Sequence, residues 1–171
     1  MKSIGLVAIG NPRRALLDNV RPALAREFAA DCHHQVLHID PRPTYHSERN
    51  QYHSTELLQT LVRANNSGST LLGITDVDLF IPILTFVFGE AQLGGSVAVI
   101  SCHRLHQEFY GLPADDDLLR ERVVKEAIHE VGHVAGLTHC DDYDCVMAAS
   151  HSVEWLDLKG KSLCARCRAM V

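Results

Sequence analysis

The residues best suited to chemistry cluster between His129 and Cys167. In His129-Glu130-Val131-Gly132-His133 two histidines stand four residues apart, which on an α-helix sets both imidazoles on one face, about one turn apart. One metal ion can bridge such a pair. Glu130 is rotated by about 100° from His129 on the same helix, so its carboxylate can reach a metal-bound water without ligating the ion, the geometry of a general base. A pattern of five residues also arises by chance as a surface His/Glu pattern, and the residues after His133 decide between the two readings.

Gly136 lies three residues after His133, where glycine can end a helix in a left-handed conformation that a Cβ disfavours. The sharp return this permits brings His139 toward the same ion as a third ligand. The fourth position stays open for water or substrate, as a catalytic zinc site requires. Zinc there would lower the pKa of its water toward ~7 and polarise a peptide carbonyl, with Glu130 taking the proton. The expected reaction is direct hydrolysis of a peptide bond, without a serine or cysteine nucleophile.

A second constellation adjoins the first. Cys140 is the neighbour of His139, Cys145 comes after four intervening residues, and Cys164-Ala165-Arg166-Cys167 adds a CxxC pair. Four thiolates in two clusters match a closed tetrahedral structural zinc site. Two disulfides or four unlinked thiols are the alternatives, and a chain without a secretory signal favours metal. Cys32 and Cys102 stand apart and read as ordinary thiols, and His151 is a reserve candidate ligand.

The elements that must position these residues can be read upstream. Residues 4–9 form a continuous apolar run suited to a strand buried on both faces. Leu16, Leu17, Val20, Leu24 and Phe28 recur at helical spacing over residues 15–29, and residues 35–39 read as a second strand. A helix over residues 55–64 has Leu57, Leu58, Leu61 and Val62 inward, Ser54 as its cap and Asn65-Asn66-Ser67-Gly68 as its end. Residues 71–75, 85–88 and 97–100 predict three more strands, with Gly89 and Gly94-Gly95 allowing a bulge or tight turn between the last two. Acidic residues from Asp115 or Asp116 open the helix that carries the motif, with Val124, Ile128, Val131 and Ala135 as its apolar stripe.

Composition narrows the classes. The chain has 171 residues, 46% of them hydrophobic, and a net charge of -5, which suits one domain and removes the broad attraction behind most nucleic-acid and anionic-membrane binding. No apolar run approaches the roughly 18 residues of a membrane span. Asn11-Pro12-Arg13-Arg14 comes after the first apolar run, where a signal peptide would need small residues, so a cytoplasmic protein is expected, acting as a monomer.

From His129 to Cys167 the pattern HExxHxxGxxHC, then CxM, then CxxC, resembles the archaemetzincins, a metzincin family of zinc peptidases. The resemblance implies His129, His133 and His139 as ligands of a catalytic zinc, Glu130 as base, Met147 as the Met-turn residue beneath the site, and Cys140, Cys145, Cys164 and Cys167 around a structural zinc. It implies two zinc ions per chain and a peptide or protein as substrate. It also implies an α/β (α+β) fold: a twisted, mixed five-stranded sheet with an antiparallel edge strand, backing and active-site helices, and a small zinc-stapled C-terminal subdomain. Residues 1–136 would form the upper subdomain and 137–171 the lower. In such enzymes the edge strand pairs with extended substrate, which points to Phe88, Gly89 and Ala91. Some metzincins carry a tyrosine just after the Met-turn methionine; here Ala148-Ala149 succeed Met147.

Three rivals compete. A zinc-stabilised binding or regulatory module would need the histidines but not a glutamate at the position suited to base catalysis. A nucleic-acid binder built on Lys159, Lys161, Arg166 and Arg168 conflicts with the acidic whole. A nucleotide-binding βαβ unit lacks GxGxxG, since Gly5 and Gly10 do not form it.

Overall fold

A computed structural model describes residues 1–66 and 68–171; Ser67, expected in the stretch that closes the second helix, lies outside them. The chain runs β1 (Ser3–Ile9), α1 (Arg14–Phe28), β2 (Asp31–His34), β3 (Tyr45–His46), β4 (Gln51–His53), α2 (Ser54–Ala64), β5 (Thr70–Thr75), β6 (Leu79–Phe80), β7 (Gly89–Ala91), β8 (Val97–Ser101), α3 (Asp116–Val134), α4 (Val153–Leu158) and α5 (Ala165–Arg168). The main sheet has the order β2-β1-β5-β8-β7, with the first four strands parallel and β7 antiparallel at the edge. This is the mixed five-stranded sheet expected.

The apolar runs are continuous because both faces of the sheet are covered. Ile4, Leu6, Leu72, Ile74, Ala98 and Ile100 pack under α1 and α3, while Val7, Ile9, Leu71, Val97 and Val99 pack under α2. The motif helix α3 is capped by Asp115, whose carboxylate accepts from Leu118 N at 2.9 Å. Its buried face carries Val123, Ala127, Ile128 and Val131, with Val124 and Ala135 half-buried beside them.

Several boundaries differ from the sequence reading. The second strand is Asp31–His34, not 35–39: α1 closes with Ala29 in the left-handed region, and Asp31 N already bonds Lys2 O at 3.1 Å. Pairing therefore starts four residues early, on a polar edge strand with no apolar signature. Residues 35–39 keep one bond to β1 and a single bridge at Ile39. The strand expected over residues 85–88 forms instead over Gly89–Ala91, within the segment assigned to the edge, and Val87 makes only a bridge to Leu79. Helix α2 is capped by His53 Nδ1, which accepts from Glu56 N, so Ser54 is already helical, and Val62 is exposed. A small sheet, β3-β4-β6, is built from strands too short for periodicity to reveal.

Candidate active site

The last two turns of α3 hold His129, Glu130 and His133, with His129 against the C-terminal tail at Val146 and Glu130 against Gly89 of β7. Helix α3 ends as glycine dictates: Gly136 has φ 96°, its N–H bonds His133 O at 2.9 Å, and Leu137 N bonds Gly132 O at 2.9 Å. This paired closure satisfies the orphan carbonyls and reverses the chain. His139 is thereby returned to the two helical histidines, and a ligand atom from each of the three rings lies within 4.8 Å of the others.

Backbone carbonyls fix the tautomers. His129 Nδ1 donates to Val146 O at 2.9 Å and His133 Nδ1 to Leu137 O at 2.7 Å, which leaves both Nε2 atoms as bare lone pairs. Those two atoms face each other at 3.1 Å, an arrangement that a cation between them relieves. Burial pushes the pKa of all three histidines down, that of His129 well below its ordinary value, and neutral imidazole is the form that binds metal. The donor set fits zinc, and its three ligands leave a position free.

Glu130 is buried, and its carboxyl is held well above the usual range, first by burial and then by the neighbouring Glu126 carboxylate, against the pull of Lys159. A carboxylate tuned upward in this way would be better matched to taking a proton near neutral pH.

The cysteines converge as well. Sγ atoms of Cys140, Cys145, Cys164 and Cys167 all lie within 4.8 Å of one another, with Cys140 and Cys164 at 3.9 Å. Tetrahedral zinc with bonds of ~2.3 Å needs thiolates about 3.8 Å apart, so the cluster fits a closed site. All six cysteines are free, and Cys32 and Cys102 are buried elsewhere. Cys140 N bonds Met147 O at 3.0 Å, which ties the cluster to the loop beneath His129. Met147 is fully buried, and a Cβ on Gly132 would collide with its sulfur.

A cleft of about 390 Å³ runs beneath β7 past His129, Glu130 and His139. Phe88 O accepts from Ser101 N, and Gln92 N donates to Val97 O. By antiparallel alternation the N–H and C=O groups of Gly89 and Ala91 then face the open edge. Phe88 is buried against Phe86 and gives its backbone to the sheet. His151, exposed on the cleft wall, is outside the metal-binding groups found among the described residues.

Three residues at the site are given no role there by the sequence reading: Gly132, Glu126 and Lys159. Lys159 was expected on a surface basic patch with Lys161, Arg166 and Arg168. It is instead 4% exposed, with Nζ donating to Ala148 O at 3.2 Å and 3.3 Å from His129 Nδ1. Because that nitrogen already donates to Val146 O, the second contact is packing. Arg168 is also drawn off the patch, to Glu27 at 2.6 Å. The only signal available was the helical spacing that sets Glu126 one turn before Glu130.

The sequence model of peptidase family M54 matches residues 37–171. An archaemetzincin of Methanocaldococcus jannaschii is 46% identical over 127 residues, 74% of this chain and 69% of that protein. One of Pyrococcus furiosus is 46% identical over 125 residues, 72% and 65% of the two. The matched span is thus about two thirds of the length of these relatives. Among solved structures, a zinc-dependent peptidase from Methanocorpusculum labreanum superposes with a TM-score of 0.88 at 31% identity, covering 98% of both chains. Archaemetzincin from Archaeoglobus fulgidus, complexed with malonate, gives 0.84 at 36% identity over 99% of both.

Proposed function

This chain belongs to peptidase family M54 and is a zinc metallopeptidase, and from that premise we propose that His129, His133 and His139 hold a catalytic zinc while Glu130 acts as general base. The observation that carries the assignment is the pair of Nε2 lone pairs at 3.1 Å, each fixed by a carbonyl behind its ring. Cys140, Cys145, Cys164 and Cys167 would hold the second, structural zinc, and Met147 supports the floor of the first. The metzincin arrangement is the frame for this reading, with the lower subdomain starting after the Gly136 turn.

Zinc, when bound, supplies a Lewis acid that acidifies water and polarises the substrate carbonyl. The chain's own residues do the rest. The outward groups of Gly89 and Ala91 pair with an extended peptide as an added strand. Glu130 takes a proton from the water that attacks the carbonyl carbon, then returns it to the departing amine as the C–N bond breaks. Val146 O and Leu137 O keep His129 and His133 in one tautomer and orientation.

A peptide or protein is the substrate class. The net charge of -5 and the withdrawal of Lys159 and Arg168 from the tail patch support a protein that leaves nucleic acid alone, and a cytoplasmic monomer is the proposed state. No helix among the described residues is long and apolar enough to cross a membrane.

The test compares metal content and cleavage of a peptide library for the wild type and Glu130→Gln. Two zinc ions per chain are expected in both, with cleavage falling roughly 10²- to 10⁴-fold in the variant. Two zinc ions and no cleavage by either protein would replace the enzyme with a binding module.

A further inference from the structure

Two buried, oppositely charged side chains share a wall of the cleft without meeting. Glu126, 5% exposed, sits one turn before Glu130, lines the cavity and has Oε2 without a hydrogen-bond partner. Lys159, 4% exposed, lines the same cavity and spends one N–H on Ala148 O. No ion pair within 4.0 Å joins them among the described residues. Ser150 Oγ, on the same wall, is also buried and unpartnered. A buried acceptor and donor left open carry the desolvation penalty of both groups unless something fills the space between them.

We propose that this end of the cleft is a subsite for a neutral carboxamide, so that the enzyme selects Asn or Gln at a position flanking the scissile bond. The proposal rests on the peptidase reading of the same cleft. An amide offers both halves of the match: its NH₂ donates to Glu126, and its C=O accepts from Lys159 or Ser150. An apolar side chain leaves both ends unmet. A lysine or arginine faces the Lys159 ammonium, and an aspartate or glutamate faces both Glu126 and Glu130. Sites built to hydrogen-bond a polar group reject analogues that lack it far better than apolar pockets reject a change of size.

The topology limits which position is read. Along β7 the chain passes from Gly89, beside Glu130, to Ala91, which shares a small cavity with His133. Glu126 therefore lies beyond the Gly89 end. A substrate antiparallel to β7 places there the residue after the scissile bond, and a parallel one the residue before it.

The experiment has two arms on the zinc-loaded protein. A peptide library randomised at both flanking positions is cleaved with the wild type, and the same library is panned on Glu130→Gln, which reads binding without reaction. Asn and Gln are expected at one position about tenfold or more over Leu, Lys and Glu in both arms. In Glu126→Leu/Lys159→Met the preference should move to Leu or Met by a similar factor. The wild-type profile decides the matter even if that double variant does not fold. Cleavage with Leu, Lys or Glu preferred at both positions would overturn the subsite and leave the peptidase standing. Panning that retains the carboxamide preference while nothing is cleaved would do the reverse.

Discussion

Gly89 and Glu130 are packed so closely that a Cβ on the glycine would stand 2.7 Å from Glu130 Cγ and 2.8 Å from Val99 O. The strand edge proposed to receive substrate and the carboxylate proposed as base are thus set against each other with no room between. Gly89→Ala should displace Glu130 while leaving every metal ligand in place. A fall in kcat/KM of roughly 10- to 100-fold is expected, the scale of a misplacement near 1 Å, with zinc content unchanged. Full activity in this variant would show that Glu130 is free to move aside.

Gly132 stands in the same relation to Met147, whose sulfur a Cβ would strike. Alanine in a helix interior gains about 1 kcal/mol over glycine, but inserting a carbon into a packed core costs about 1–3 kcal/mol. Met147 is fully buried, so the second term wins. Gly132→Ala should lower the denaturant midpoint and loosen zinc at the histidines, read by competition with a chelator. Gly132→Ala/Met147→Ala should recover part of the zinc affinity, since the collision is removed.

The contrast between these glycines and the ligands explains what the sequence could reveal. His129, His133 and His139 lie within eleven residues, and helix geometry plus one glycine brings them together, so spacing alone foretells their meeting. Lys159 meets the motif only through the fold, from 29 residues away from Glu130, and nothing local marks it; Gly89, 41 residues away, is reached through the family resemblance and not through its own spacing. The buried strands announced themselves because both faces are apolar. β2 did not, since its Asp31-Cys32-His33-His34 sits at the sheet edge, and the apolar residues after it drew the strand four positions too late.

Protein contacts also hold the tail, beside the metal proposed there. Glu27, on α1, has a carboxylate only 3% exposed that accepts from Leu163 N at 2.7 Å and from Arg168 at 2.6 Å. Glu27→Ala would leave a buried N–H unmet next to Cys164. A loss of about 2–3 kcal/mol is expected from hydrogen bonds to a charged group, with the half-exposed Arg168 giving the smaller share. Urea unfolding of the zinc-loaded protein measures it. A loss below about 0.5 kcal/mol, the scale of a neutral surface change, would mean that zinc alone anchors the segment.

The four thiols differ before any metal arrives. Cys164 is lowered to about 7, chiefly by the N–H of Cys167, whereas burial raises Cys145 and Cys167 and brings Cys32 to about 11. In zinc-free protein at pH 7, iodoacetamide should therefore label Cys164 first, more than about 10²-fold faster than Cys32. Its rate should climb through pH about 7 and level off above. Zinc should protect all four thiols of the cluster. Equal labelling of Cys164 with and without zinc, read by mass spectrometry of the peptides, would remove it from the metal site.

Glu126 gives the zinc-free protein a pH signature of its own. Burial raises its carboxyl above the ordinary value of 4.5, against the opposing charge of Lys159 and a hydrogen bond with Glu130. The folded state keeps a proton that the unfolded state has released, so folding binds more protons in that window. The stabilisation is complete below pH 4.5 and disappears as pH climbs through the folded pKa. Glu126→Gln keeps the shape and removes the charge. The difference in unfolding free energy, variant minus wild type, should therefore increase as pH rises above 4.5. His129, His133 and His139 contribute the opposite slope, because their depressed pKa values cost stability as pH falls below 6.5. That slope is common to both proteins and cancels in the difference. Urea midpoints of the chelated proteins from pH 5 to pH 8 make the comparison, and a difference that stays flat or falls with pH would mean that Glu126 is as well solvated folded as unfolded.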